Sequence, residues 1–303
     1  MEGSSTPIAI ASIEGLHRVF GLRPPDHPLY SVVKIERIGQ LPITDATAFI
    51  LEFFAVVLLG NLQGEIHCGR KSYDFQKGIL ICLAPGLLIE GINSLANVSA
   101  RFLFFHRDFL AGHPLSYRIQ QYGFFDYTTK EALHLSQKEE ISIEQLFQNI
   151  QAEYTLPVDA HSHHIILSNL DLLLTYCNRY HSRQFITRNQ VESHFQKDFE
   201  RLLQTYLSTK SLREHGIPSV EQLAMEMNTS PKYLSDKLRV LTGKRTQEHI
   251  HIQILARAKS LLRENRLSIS EIAFQLGFEY PQYFSRLFKK KVGISPKEYR
   301  NMN

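Results

Sequence analysis

The 303-residue sequence contains no tryptophan and only three cysteines, Cys68, Cys82 and Cys177. An odd number of widely separated thiols does not make the paired framework that staples small secreted domains, and it fits a reducing cytoplasm. Each thiol is expected to be a small buried hydrophobe. No apolar run approaches the roughly twenty residues of a membrane-spanning helix. The N-terminus lacks the basic stretch, apolar run and small-residue cleavage site of a secretory signal. A cytoplasmic location is therefore expected. A Ser-His-Asp set, a nucleophile elbow, a P-loop and a dinucleotide fingerprint are all missing too. No catalytic residue, metal site or cofactor is expected, and there is no low-complexity tract.

What is present is an uneven distribution of charge. Residues 195–303 hold 19 Lys+Arg and 11 Asp+Glu, a net of 19 − 11 = +8. Residues 1–194 hold the other 15 Lys+Arg and 19 Asp+Glu, a net of 15 − 19 = −4. A basic module joined to a mildly acidic one suggests a polyanionic partner for the C-terminal part. A solvated charged surface would give the same balance.

Residues 30–105 read as strands: "YSVVKIER", "AFILEFFAVVLL", "GEIHCG", "GILICLAPG" and "SARFLFFH", separated by turn residues. Short β-rich runs at this spacing suggest a sandwich or barrel. The pattern turns helical from residue 114. Ser136 and Glu139 have capping-box spacing at the head of one helix. A second helix is expected over 159–180. The polar, weakly periodic stretch 181–195 reads as a linker between a domain of residues 1–180 and one of residues 196–303.

Near the C-terminus stands "EIAFQLGFEYPQYFSRLFKKKVGISPKEYR", residues 271–300. Ser268 and Glu271 form a capping box for one short helix, which buries Ile272, Ala273 and Leu276. Gly277 turns the chain, and Pro281 opens a second helix that ends at Gly293. Phe284, Leu287 and Phe288 form the buried stripe of that helix. Gln282, Arg286 and Lys289 fall at i, i+4, i+7 on the opposite side, a polar cationic face. Tyr280 and Tyr283 are expected at the surface. Ser295, Pro296 and Glu298 start a final helix. The grammar is repeated over 219–250: Ser219 and Gln222 cap, Ser230 and Pro231 open a second helix, Leu234 and Leu238 stand for Phe284 and Phe288, and Gly243 for Gly293. An amphipathic helix through Ile250, Ile254, Ala258, Leu261 and Leu262 joins the copies. Each copy is a helix-turn-helix.

With "EIAFQLGF" followed by "YFSRLFKKKVGISPKEYR", residues 196–303 resemble the DNA-binding domain of the AraC/XylS family of bacterial transcription regulators. The resemblance implies two recognition helices in successive major-groove segments of double-stranded DNA, about one DNA turn (~34 Å) apart. The positions that match the family's base-facing sites are Lys232, Ser235 and Asp236 in the first copy and Gln282, Tyr283 and Arg286 in the second. Arg239, Lys289 and Lys290 would serve phosphates. Arginine can bond guanine bidentately, and glutamine can do the same with adenine. Asp236 stands where the family often has a basic residue. It could accept from cytosine N4, or pair with Lys232 and Arg239 on its own helix. Thr246 stands where the family commonly has proline.

The N-terminal part resembles the family's sensor domains more loosely, chiefly in "YDFQKGILICLAPG". The fold class expected is α+β with two domains: a cupin-like β-barrel with trailing helices, then an all-α domain with two helix-turn-helix motifs joined by a connecting helix. The barrel offers only Glu65 and His67 toward a metal, and His161, His163 and His164 fall on an expected helix. The function expected is an effector-responsive activator, with a small-molecule effector and RNA polymerase as partners. The alternatives are a cupin-type metalloenzyme with an autoregulatory DNA-binding domain, and a nucleic-acid module without regulatory input. On helix 159–180, Ile166, Leu170, Leu173, Cys177 and Tyr180 have heptad spacing, which reads as a homodimer seam. Ile165, Leu172 and Tyr176 beside them are expected to face the chain's own barrel.

Overall fold

The β-rich stretch does become strands. The computed structural model describes residues 7–42, 48–60, 65–68, 71–74, 78–89, 97–128, 131–191, 194–208, 212 and 214–302, with the backbone alone of 65–68, 71–74 and 187–191. The chain divides into two compact units, residues 1–184 and 185–303.

In the first unit, β1 (Ile8–Ile10) leads into helix α1 (Ile13–Val19), which is capped by the Ser12 hydroxyl. The strands that follow are β2 (Tyr30–Ile35), β3 (Phe49–Leu51), β4 (Phe54–Gly60), β5 (Glu65–Cys68), β6 (Lys71–Asp74), β7 (Ile79–Leu83), β8 (Leu88–Ile89) and β9 (Ser99–Phe105). After the short helix α2 (Leu115–Arg118) comes β10 (Leu133–His134). Five strands form one sheet in the order β10-β7-β4-β9-β2, antiparallel throughout. Three form a second sheet, β1-β3-β8, and β5 pairs with β6. Among the described residues no sheet closes on itself, so the expected barrel is replaced by open sheets in a mixed α/β unit.

The alternation of side chains makes the large sheet two-faced. Ala55, Val57 and Leu59 of β4 join Ile79 and Leu83 of β7 and Phe104 of β9 in one core, with Leu16, Phe49 and Phe53. The other face belongs to the helices α3 (Gln137–Thr155) and α4 (Ser162–Val191). Arg101 on β9 pairs with Glu144 at 2.5 Å, and the Tyr30 and Tyr154 rings lie 5.3 Å apart. Cys82 on β7 and Cys177 on α4 are both buried and are neighbours. Burial, and then its neighbour, push the Cys82 thiol far above its ordinary range. The side chain of Cys68 lies outside the described residues, as do those of Glu65 and His67.

The helix expected over 159–180 is longer and runs through most of the stretch read as a linker, to Val191. The dimer seam is overturned. Ile166, Leu170, Leu173, Cys177 and Tyr180 are all buried in the chain itself, while Ile165 and Leu172 are exposed, the reverse of the faces expected. The physical reason is that Leu167 and Leu174 widen the seam into a sheet-facing stripe, and polar side chains fix the helix that way round. Arg118 pairs with Asp171, Arg183 with Glu139 at 2.8 Å, and Gln184 binds the backbone of β10 through His134 N–H at 2.8 Å. His161 and His164 are exposed, and His163 Nε2 lies 3.1 Å from the Phe109 carbonyl. Among the described residues no three His, Cys, Asp or Glu side chains are grouped to hold a metal. No helix there is long and apolar enough to cross a membrane.

Candidate nucleic-acid interface

The second unit is helical. Its elements are the end of α4, then α5 (Phe195–Tyr206), α6 (Val220–Glu226), α7 (Pro231–Thr242), α8 (Thr246–Glu264), α9 (Ile269–Gln275), α10 (Pro281–Val292) and α11 (Pro296–Asn301). Helices α6 and α7 make one helix-turn-helix, α9 and α10 the other, and α8 joins them. The caps are those the sequence specified. Ser219, Ser268 and Ser295 each accept from the backbone N–H three residues on, and Gln222, Glu271 and Glu298 reach back to the cap N–H. The N–H donors favour the charged carboxylate, so Glu271 and Glu298 sit below the ordinary glutamate range.

Both turns use one device. Gly277 is left-handed, with φ +81°. Its N–H donates to the Phe274 carbonyl at 3.1 Å, and that of Phe278 to Ala273 at 3.0 Å. In the first copy Asn228 takes the same place at φ +51°, donating to Met225 at 3.0 Å while Thr229 donates to Ala224 at 2.9 Å. This is the Schellman pattern, for which asparagine is the usual substitute for glycine. Sequence reading found Gly277 and missed Asn228, although the self-bonding tendency of asparagine was a usable signal. Gly277 has a second constraint: a Cβ there would lie 3.0 Å from the Gly216 backbone and from the Leu212 carbonyl.

One core supports both copies. Ala224 and Ala273 are buried where the paired helices meet. Leu234 and Leu238 of α7, Phe284 and Phe288 of α10, and Ile250, Ile254, Ala258 and Leu262 of α8 complete it. Arg300 of α11 donates to the Leu267 carbonyl at 2.7 Å and so holds the entry to α9.

The outward faces differ between the copies. On α10, Gln282, Tyr283, Arg286, Lys289 and Lys290 are all exposed. Tyr280 and Tyr283 are both at the surface, their rings edge-on at 5.7 Å. On α7, Arg239 is exposed, while Lys232, Ser235 and Asp236 are half-buried. Lys232 Nζ lies 3.8 Å from Asp236 Oδ2, one turn away. The Ser235 hydroxyl lies 3.1 Å from the buried Thr246 hydroxyl, a hydrogen bond that ties α7 to the start of α8. The Ser235 hydroxyl therefore has a partner inside the domain as well as a half-exposed position on the helix. Tyr233 is buried against Phe185 with ring centroids 5.1 Å apart, and Lys237 Nζ lies 3.8 Å over the Phe195 ring. Phe185, Phe195 and Lys237 escaped sequence reading because their contacts cross element boundaries.

A family model described as "Helix-turn-helix domain" matches residues 223–302. Histidine kinase P4 of Formosa agariphila is 37% identical over 78 residues, 26% of this chain and 6% of its own length. The xylose operon regulatory protein of Escherichia coli strain K12 is 36% identical over 94 residues, 30% of this chain and 24% of its own. The structure of the C-terminal domain of the response regulator yesN from Fusobacterium nucleatum matches at 28% identity with a TM-score of 0.31, covering 35% of this chain and 96% of that one. The chain spans less than a third of the length of these curated relatives. The two helix-turn-helix motifs, with the helices that pack on them, place the C-terminal unit of this chain in the AraC/XylS family of DNA-binding transcription regulators.

Proposed function

We propose that the whole chain is a cytoplasmic, one-component transcription regulator that binds duplex DNA through two helix-turn-helix motifs. It activates transcription through contact with RNA polymerase in response to a small molecule taken up by its N-terminal unit. The observation that carries the DNA-binding part is the pair of motifs closed by the same left-handed turn, at Asn228 and Gly277, on one shared core. The exposed row Gln282, Arg286, Lys289 and Lys290 supplies a bidentate reader for guanine, another for adenine and two phosphate partners. The effector and polymerase rest on the resemblance to the family. The metalloenzyme alternative is not favoured: the matched motif is a helix-turn-helix, and the xylose operon regulatory protein shares it.

Footprinting with the full chain on DNA upstream of its own gene and neighbouring genes tests the reading. Protection over two major-groove segments is expected. Affinity should fall with salt at a log–log slope of about −2.7 from Arg239, Lys289 and Lys290 alone, and more steeply with further phosphate contacts. Binding to no duplex at low salt would overturn it.

A further inference from the structure

The two motifs share a frame, which makes their differences informative position by position. Lys232 corresponds to Gln282, Tyr233 to Tyr283, Ser235 to Ser285, Asp236 to Arg286, and Arg239 to Lys289. Tyr233 is 5% exposed and Tyr283 55%. Lys232 and Asp236 retain 34% and 20% of their side-chain exposure and face each other, whereas Gln282 and Arg286 are exposed. The charges diverge as well: α7 carries three basic residues and one acid, 3 − 1 = +2, and α10 four basic residues and no acid, +4.

From these contrasts we infer that the two motifs do different work on DNA: α10 reads the bases of one major-groove segment, and α7 anchors the neighbouring segment through its phosphates with little base discrimination. This rests on the DNA-binding reading above. The chemistry of each α7 position leads to it. An aspartate that already faces an ammonium ion one turn away offers cytosine an acceptor whose charge is partly met on its own helix. It also repels any phosphate nearby. The Ser235 hydroxyl is engaged with Thr246. The Tyr233 ring is packed against Phe185. The exposed cation left is Arg239, at the C-terminal half of the helix, where backbone phosphates rather than base edges are met when the helix N-terminus leads into the groove. On α10 the same face holds the readers Gln282 and Arg286, with Tyr283 between them and Lys289 and Lys290 behind.

The inference predicts an asymmetric site. Duplexes retained by the full chain from a random pool should show base preference in one block of a few base pairs. A second block about one helical turn away should be protected from cleavage yet unconstrained in sequence. Arg286→Ala should weaken binding to the selected site roughly five- to 150-fold and relax one position in the preferred block. Asp236→Ala should change affinity for the selected site and for a duplex with the second block scrambled by the same factor. Base preferences of equal strength in both blocks would overturn the inference while leaving DNA binding standing, as would an Asp236→Ala variant that redirects preference in the second block. Retention of no duplex at all would instead overturn the DNA-binding reading, and this inference with it. The selection uses the unaltered chain, so it decides the matter even where a variant folds poorly.

Discussion

Replacing Gly277 by alanine perturbs the second motif at the point where backbone conformation and packing coincide. The residue is left-handed at φ +81°, which costs an L-residue about 1–2 kcal/mol. The added Cβ would also lie 3.0 Å from the Gly216 carbonyl carbon, 3.0 Å from the Leu212 carbonyl oxygen and 3.1 Å from the Gly216 Cα. Those are backbone atoms, which cannot rotate away as a side chain can, so an overpacking cost of about 1–3 kcal/mol is added. The total is about 2–5 kcal/mol. Gly243 is the internal control: it is left-handed at φ +75°, but nothing lies within 4 Å of its would-be Cβ, so Gly243→Ala should cost only the conformational 1–2 kcal/mol, on the same estimate. Hydrogen exchange read by mass spectrometry suits the comparison, because peptides of residues 1–184 serve as a reference within the same molecule. At about 1.4 kcal/mol per tenfold, protected amides of the C-terminal core should exchange roughly 5- to 30-fold faster in Gly243→Ala. In Gly277→Ala the factor should be roughly 30- to several-thousand-fold. If Gly277→Ala accelerates exchange no more than Gly243→Ala does, the close approach to Gly216 contributes nothing and the reasoning fails.

Lys290→Ala should weaken all duplexes by one common factor and flatten the salt slope by about 0.9, measured by titration at several salt concentrations. Leu170→Glu, at a site 1% exposed, should destabilise the N-terminal unit by about 3–5 kcal/mol or more, whereas Leu172→Glu, on the exposed face, should stay within about 0.5 kcal/mol; denaturant melts distinguish them. His249 is held below the ordinary histidine range by burial and then by the charge of Lys244, and His251 is shifted the same way. On acidification through that range the unfolded chain takes up protons that the native imidazoles refuse. Stability is therefore present above the ordinary histidine pKa and is lost as pH falls below it. The denaturation midpoint of the C-terminal unit should drop between pH 7.5 and pH 5.5, and His249→Gln should reduce that drop.

The C-terminal unit was legible because its signals are local. A serine followed three residues later by glutamate or glutamine, a proline opening a helix and a glycine closing one are each satisfied within a single turn, so Ser219, Ser268 and Ser295 could be placed from sequence. The stripe Phe284–Phe288 needed only helical period. What failed depended on partners distant in sequence. Helix α4 carries two apolar stripes, and periodicity finds both without ranking them. Gln184 on β10 and Arg183 on Glu139 decide which turns inward, and neither contact leaves a mark in the pattern. Ser235 matched a reading position, and its hydroxyl also meets a threonine eleven residues on, a partner that lies outside the motif. The only trace was Thr246 standing in place of the family's usual proline. The open sheets were half legible: β2, β4, β7 and β9 are long enough to show their alternation, while β8 and β10 have two residues each and carry no period at all.

The two thiols buried between β7 and α4 amount to an internal clock. A water-soluble alkylating reagent meets Cys82 or Cys177 only when the helix parts from the sheet, because both are enclosed and the Cys82 thiol is held strongly protonated. The labelling rate of these two residues, separated from that of Cys68 by peptide mapping, then measures how often this layer opens. In a chain with no tryptophan to report its folding optically, that rate would give the opening free energy of the N-terminal unit directly. A molecule that binds the closed layer would announce itself by slowing the clock, whatever its chemistry.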